Sequence, residues 1–338
     1  MQNLYKPVMD KGKFIVSLDF ELFWGVRDVR TMQEYGNNII GVHEVIPRLL
    51  TAFDTYGINA TFSIVGLLFF DNKKEVKENL PLKIPQYTNH NLSPYLGYID
   101  TVGSDCEKDK YHYAPHLIKL IRQYPAQEIG THTFSHYYCL ENGQNVDDFM
   151  ADIIVAQKIA AVYGIQLTSL VFPRNQFNDH YLNACKDLGI ICIRGNERSW
   201  IYQARNYDNE SLVRRALRLI DAYVDISGHN CYTDDHLKST MPVNIPASRF
   251  LRPFSKKIKM LDFLRIRRIK KGMTYAAKNK MTYHLWWHPH NFGVDQDENF
   301  AFLEKILIHY QQLNKLYGFQ SCTMSELANH LIKTKDAI

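Results

Sequence analysis

Short, nearly continuous apolar runs alternate along this chain with segments of helical spacing, and that alternation restricts the fold more than any other feature. Lys13 to Asp19, Asn59 to Val65, Gln127 to Thr131, Thr168 to Phe172 and Ile190 to Ile193 read as buried strands. Ala222 to Ile226, Met281 to Trp287 and Phe319 to Cys322 read as further strands. Between them, Val42 to Tyr56, Pro115 to Tyr124, Val146 to Tyr163, Asn178 to Leu188 and Glu298 to Leu316 carry helical periodicity, several stopping at a glycine such as Gly57, Gly164 or Gly189. Thr323 to Glu326 is a capping-box pattern that opens a last helix. Strand-helix repeats with strands apolar on both faces predict a parallel sheet wrapped by helices. The number of units predicts an α/β fold, a closed or nearly closed (β/α) barrel of about seven parallel strands. A doubly wound open sheet is the alternative, but no glycine-rich phosphate loop follows the first strand.

Two connections exceed what the repeat needs. Residues 67–113 are rich in Asn, Pro and Tyr, and residues 228–280 hold a basic stretch. Both are expected as insertions into a single barrel domain spanning 1–338. Each follows a strand, so a barrel would place both on the face where active sites are built.

The 338 residues carry a net charge of +5, which is concentrated: Arg249 to Lys271 holds ten Lys/Arg against one acid, Asp262. This stretch interleaves cations with Phe, Leu and Ile without forming one clean helical stripe; a solvated basic face is one reading and peripheral contact with an anionic membrane the other. No nucleic-acid motif accompanies it, so a nucleic-acid partner is not expected. The six Cys are scattered, with no CxxC pair, which argues against a disulfide framework and a zinc knuckle. Met1 to Lys13 lacks the apolar core of a secretory signal, and a cytoplasmic protein is expected.

Chemistry-bearing residues gather at strand ends. The first strand runs out through Asp19-Phe20-Glu21, two carboxylates on one side if the strand continues. His132-Thr133-Phe134-Ser135-His136 places two imidazoles where a strand meets a loop, a spacing that lets both reach one cation. Arg174 follows the strand ending at Phe172 and could orient a carboxylate. Trp286-Trp287-His288-Pro289-His290 ends another strand with aromatic residues suited to a sugar cleft and a histidine suited to proton transfer.

In this order, the carboxylate pair, HTxxH box, Pro/Arg strand end and late His-Pro resemble the polysaccharide deacetylases, the NodB-homology domain or carbohydrate esterase family 4. The resemblance spans roughly Phe14 to Leu331. It implies a distorted β/α barrel with one divalent metal ion, with zinc expected and cobalt or nickel as alternatives. By the same resemblance Asp19 is the catalytic base, Glu21, His132 and His136 are the metal ligands, Arg174 orients the base and His288 is the general acid. Trp24, Trp200, Trp287 and His290 are expected to contact the substrate.

The chain departs from the family pattern in three places. Phe20 separates the two acids, proline precedes Arg174 instead of following it, and Asn196 to Trp200 lacks the two Asp of the usual fourth motif. Glu197 and Asp225 are the candidates for the acid that tunes His288. The implied activity is removal of an acetyl group from an N-acetylated sugar, a lipid- or nucleotide-linked intermediate of surface-glycan synthesis. Hydrolysis of a non-sugar amide at the same site, and a catalytically degenerate glycan-binding module, are the alternatives.

Overall fold

The computed structural model describes residues 11–205, 211–238 and 240–335, so residues 1–10 of the expected signal-free N-terminus lie outside it. In chain order the elements are β1 (Lys13–Phe20), α1 (Met32–Tyr56), β2 (Ala60–Ile64), α2 (Lys73–Glu78), α3 (Tyr98–Thr101), α4 (Pro115–Ile121) and β3 (Glu128–Thr131). They continue as α5 (Val146–Val162), β4 (Ser169–Val171), α6 (Asp179–Asp187), β5 (Cys192–Arg194), α7 (Leu212–Asp221), α8 (Asp234–Leu237), β6 (Val243–Asn244) and β7 (Arg249–Phe250). The chain ends with α9 (Asp262–Lys278), β8 (Thr282–Trp287), α10 (Gln296–Tyr317), β9 (Gln320–Ser321) and α11 (Met324–Lys335).

The strands form one parallel sheet in the order β6-β5-β4-β3-β2-β1-β8-β7, with β9 added beside the start of β1. The two ends of this path, β6 and β7, are separated by only Ile245–Ser248. Ile245 and Ala247 bond to the β5 side, to the carbonyls of Ile193 and Gly195, while Ser248 donates to the carbonyl of His284 on β8. Four residues span a short distance, so this segment draws the two edges together. The sheet therefore curls into a distorted barrel, as the alternation predicted.

The residues of β1 are buried throughout, as a central strand covered on both faces requires. Phe14, Val16, Leu18 and Phe20 face the helix-side core with Leu49, Phe53, Leu285 and Trp287. The opposite face carries Ser17 and Asp19, which are buried and polar. Buried polar groups need partners, and Ser17 has two: its Oγ lies 2.8 Å from His284 Nε2 and accepts from Arg194 at 3.1 Å.

The structure differs from the sequence reading in three places. α1 starts ten residues earlier than the periodicity suggested, because Thr31 and Glu34 form a reciprocal capping box. Ala222 to Ile226 is not a strand; it is the turn that leaves α7. The long segment 228–280 is more than a loop, since it supplies β6, β7 and α9.

Candidate active site

β1 ends at the mouth of the barrel and sets the first two groups. Asp19 is on the interior face, and Glu21 follows where the strand turns into a single 3-10 turn, Leu22–Gly25. Gly25 makes room for Glu21, since a Cβ there would stand 2.0 Å from the Glu21 Cδ.

The histidine pair is held by a tightly pinned loop after β3. Thr133 and His136 both take left-handed backbone angles, φ 63° and 61°, an uncommon conformation for such residues that needs surrounding support. The support is Asp152 on α5, whose carboxylate accepts the backbone N–H groups of Phe134 (2.6 Å) and Ser135 (3.1 Å) and the Ser135 hydroxyl. Thr133 Oγ1 accepts from the Tyr137 N–H at 2.7 Å, and Gly66 donates to the Thr133 carbonyl at 3.0 Å.

The result brings Glu21, His132 and His136 together, with their ligand atoms all within 4.8 Å of one another. Glu21 Oε2 lies 3.0 Å from His136 Nε2 and 3.3 Å from His132 Nε2. His132 Nδ1 lies 2.9 Å from the carbonyl of Val171. A carbonyl only accepts, so Nδ1 carries a proton and Nε2 is the atom turned toward the carboxylate. Burial pushes His136 down to about 4, with Glu21 opposing, so it is neutral near pH 7. Burial would raise the Glu21 carboxyl, but the surrounding imidazoles, His288 first, outweigh it and hold it well below its ordinary value. An ionised carboxylate facing two imidazoles is a donor set that fits a divalent cation.

Asp19 lies beside this cluster, gripped by Arg194 through two bonds of 2.6 and 2.7 Å. Burial would raise its carboxyl, yet Arg194, His132 and His288 together hold it below its usual value. Arg194 also donates to Asn175 Oδ1 at 3.0 Å and stacks 4.0 Å over the Trp286 ring. Across the mouth, His288 Nε2 is 3.7 Å from Asp19 Oδ2 and 3.8 Å from Glu21 Oε1. Its ring stacks on His290 at 4.9 Å between centroids.

The expected site residues are not all where the sequence suggested. Arg174 does not orient Asp19. It lies in the turn beyond β4 at φ 53°, pairs with Asp28, approaches Glu141 at 3.7 Å and sits 4.4 Å over the Tyr138 ring. Arg194, the last residue of β5, crosses the barrel interior in its place; the signal was a basic residue closing an apolar strand, which needs a buried acid. Trp24 and Trp287 are sealed in the core and offer nothing to a substrate. Trp24 donates to the His112 carbonyl at 2.7 Å, and Trp287 stacks on Phe292. Side chains alternate along β8, so its neighbour Trp286 is the one that faces the site. His290 is buried behind His288, with Nδ1 3.8 Å from Glu21. Trp200 is 56% exposed and outside the cavity beside His288.

The tyrosines of 67–113 pack inward. Tyr113 and Tyr87 are buried, and Tyr87 accepts the Tyr138 N–H through its hydroxyl. Among the described residues no acid reaches His288 Nδ1, which is buried without a hydrogen bond. Asp225 instead pairs with Arg268 at 2.8 Å. Glu197 shares with His288 the wall of a cavity of about 330 Å³, and burial pushes its carboxyl up to about 7.

Comparison with known proteins agrees with this geometry. Residues 40–193 match the model of the polysaccharide deacetylase family. The match includes His132 and His136 and leaves Asp19, Glu21, Arg194 and His288 outside, so those four stand on the geometry alone. No curated protein sequence matches the chain. Among solved structures, a candidate polysaccharide deacetylase from Mycobacterium smegmatis is 13% identical, with a TM-score of 0.55 over 99% of this chain and 96% of that one. PuuE allantoinase is 9% identical, with a TM-score of 0.53 over 96% and 91%. A 4-alpha-glucanotransferase from Thermococcus litoralis is 10% identical, with a TM-score of 0.51 over 95% of this chain and 40% of that one. At these identities the structures show a shared fold. The polysaccharide deacetylase match to residues 40–193 agrees with the resemblance drawn from the motifs.

Proposed function

We propose that this relative of the polysaccharide deacetylases hydrolyses the acetamide of an N-acetylated sugar. Glu21, His132 and His136 would hold one divalent cation, and Asp19 and His288 would move the protons. One observation carries the reading: an ionised, two-pronged Asp19–Arg194 pair and the His288 imidazole converge on the Glu21/His132/His136 cluster, with His288 Nε2 3.7 Å from Asp19 and 3.8 Å from Glu21.

When bound, the cation supplies Lewis acidity, polarising the acetyl carbonyl and making water a stronger acid. The chain's own groups do the remaining work. Asp19 is ionised and accepts the proton of the attacking water. Arg194 fixes the plane of that carboxylate and keeps it charged. His288, the more exposed of the two stacked imidazoles at 23%, hands a proton to the departing amine. Trp286 and Phe250 form the aromatic wall of the adjoining cavity, a surface on which the apolar face of a sugar ring can lie. Two imidazoles and a carboxylate suit zinc, with cobalt or nickel as alternatives.

The test is acetate release from a panel of N-acetylated sugars and simple N-acetyl amides, using zinc-loaded protein and Asp19→Asn. Release from sugars by the wild type, absent in the variant, supports the reading. Turnover of non-sugar amides alone would move the substrate and keep the site. Folded, zinc-loaded protein that releases no acetate from any of them would leave a glycan-binding module.

A further inference from the structure

The cavity beside His288 has an unusual charge balance. Five arginines line it: Arg174, Arg205, Arg218, Arg249 and Arg252. Arg174 is paired with Asp28, and Arg249 with the buried Asp221. Arg252 differs. It is half-buried and has no carboxylate partner among the described residues; its guanidinium stands 5.9 Å from the Phe250 ring. Burial lowers its pKa, and the nearby Arg218 and Arg265 oppose its charge further. The exposed Arg205 likewise has no carboxylate partner among the described residues. The one acid on the wall among the described residues, Glu197, is pushed up to about 7 by burial and does not carry a full balancing charge at neutral pH. A half-buried guanidinium without a counter-ion is costly, and its planar fork matches phosphate oxygens.

A separate observation concerns the helix that forms part of this wall. Arg218 and Ala222, on and just after α7, line the cavity. The helix is turned inside out. Arg214 and Asp221 are buried, while Leu212 (78%), Val213 (67%), Leu219 and Ile220 are exposed. Arg214 donates to the carbonyls of Trp200 and Gln203, and Arg218 to that of Ile201, so these two cations of the helix point inward. Val224, Ile226, Met260, Leu261 and Phe263 add to the exposed apolar surface. Arg268 of α9 bonds to Asp221 and Asp225, which ties the start of α9 to the end of α7. Exposed cations, Arg215, Lys256, Lys257, Lys259 and Arg267, accompany these residues. Apolar side chains among exposed cations complement an anionic lipid surface. The membrane reading of 249–271 is refined by this arrangement, because Arg249, Arg265 and Arg268 are themselves buried.

We propose that the cavity receives the phosphate of a sugar phosphate carried on a lipid, and that the outer face of α7 with residues 260–263 lies against an anionic bilayer. One helix then separates the two, cationic toward the cavity and apolar toward the membrane. The proposal rests on the acetamide reading only for the identity of the sugar.

Two measurements test it. Calorimetry compares N-acetylglucosamine with N-acetylglucosamine 1-phosphate, on wild type and Arg252→Gln. The phosphate should bind about tenfold or more tightly than the neutral sugar, and the variant should lose that preference. Equal affinities in the wild type overturn the phosphate site, while acetate release from neutral sugars would leave the acetamide reading intact. Sedimentation with vesicles compares phosphatidylcholine alone with phosphatidylcholine mixed with phosphatidylglycerol. Binding to the anionic vesicles, weakened by salt and by Leu212→Ser with Val213→Ser, supports the membrane face. No binding to anionic vesicles, with the phosphate preference intact, overturns the lipid half and assigns the phosphate to a soluble nucleotide-linked sugar.

Discussion

Arg194 grips Asp19 through both arms of its guanidinium, Nη1 to Oδ1 at 2.6 Å and Nη2 to Oδ2 at 2.7 Å, with both side chains sealed from solvent. A lysine would keep the charge and lose the second arm. Arg194→Lys is therefore expected to lower kcat by roughly 10–100-fold through a misplaced base, with zinc content unchanged. Steady-state kinetics with metal analysis checks this, and wild-type kcat would remove Arg194 from the account.

His288 is assigned to the leaving amine, so its loss should depend on the leaving group. His288→Ala is expected to slow acetate release from an N-acetylated sugar by about 10²–10⁴-fold. The ester p-nitrophenyl acetate, whose phenolate leaves without a proton, should lose far less. Equal losses on both substrates would contradict an acid role.

Gly25 leaves the space that Glu21 fills, since a Cβ would meet the Glu21 Cδ at 2.0 Å. Gly25→Ala should displace the carboxylate and weaken zinc binding by at least about tenfold, measured by competition with a chelator. Unchanged affinity would show that Glu21 is not a ligand or that the turn yields freely.

Asp221 anchors the inner side of α7, where it accepts from Arg249, Arg268, the Tyr202 hydroxyl and Ser227. Burial would raise its carboxyl, but Arg249 and the hydrogen bonds outweigh this, and it is held below its usual value. A depressed acid contributes stability that is complete above its unfolded value, about 4, and is lost as pH falls through the folded one. Asp221→Asn should cost about 3–5 kcal/mol at neutral pH by leaving the buried Arg249 without its carboxylate and Arg268 with Asp225 alone. Urea melts of the two proteins should draw together as pH falls below about 4. A constant gap across that range would contradict the assignment.

The parts of the fold legible in the sequence were those with enough residues to show a period. β1, β2 and β8 are apolar runs of five to eight residues, and each was placed within a residue or two. β6 and β7 have two residues each and carry no period. Ala222 to Ile226 alternates like a strand, but Val224 and Ile226 face outward, so there the alternation marks an exposed surface.

At the site, the carboxylates and histidines are legible because each pair is local in sequence. The Asp19–Arg194 pair is not, because its members are 175 residues apart and the apolar run stops at Ile193, one residue before Arg194. Of two arginines near strand ends, only the register of the folded barrel shows which one crosses it. Trp286 and Trp287 pose the same problem: one step along β8 separates the wall of the cavity from the core.

The central claim is that Glu21, His132 and His136 hold one metal ion for Asp19 to work beside. Metal content of purified, zinc-loaded protein tests it most directly, comparing the wild type with Asp19→Asn and with His132→Ala/His136→Ala. The account predicts stoichiometric zinc in the wild type and in Asp19→Asn, and none in the double histidine variant. Wild-type protein that stays folded and takes up no zinc, or a double variant that retains it, would contradict the account.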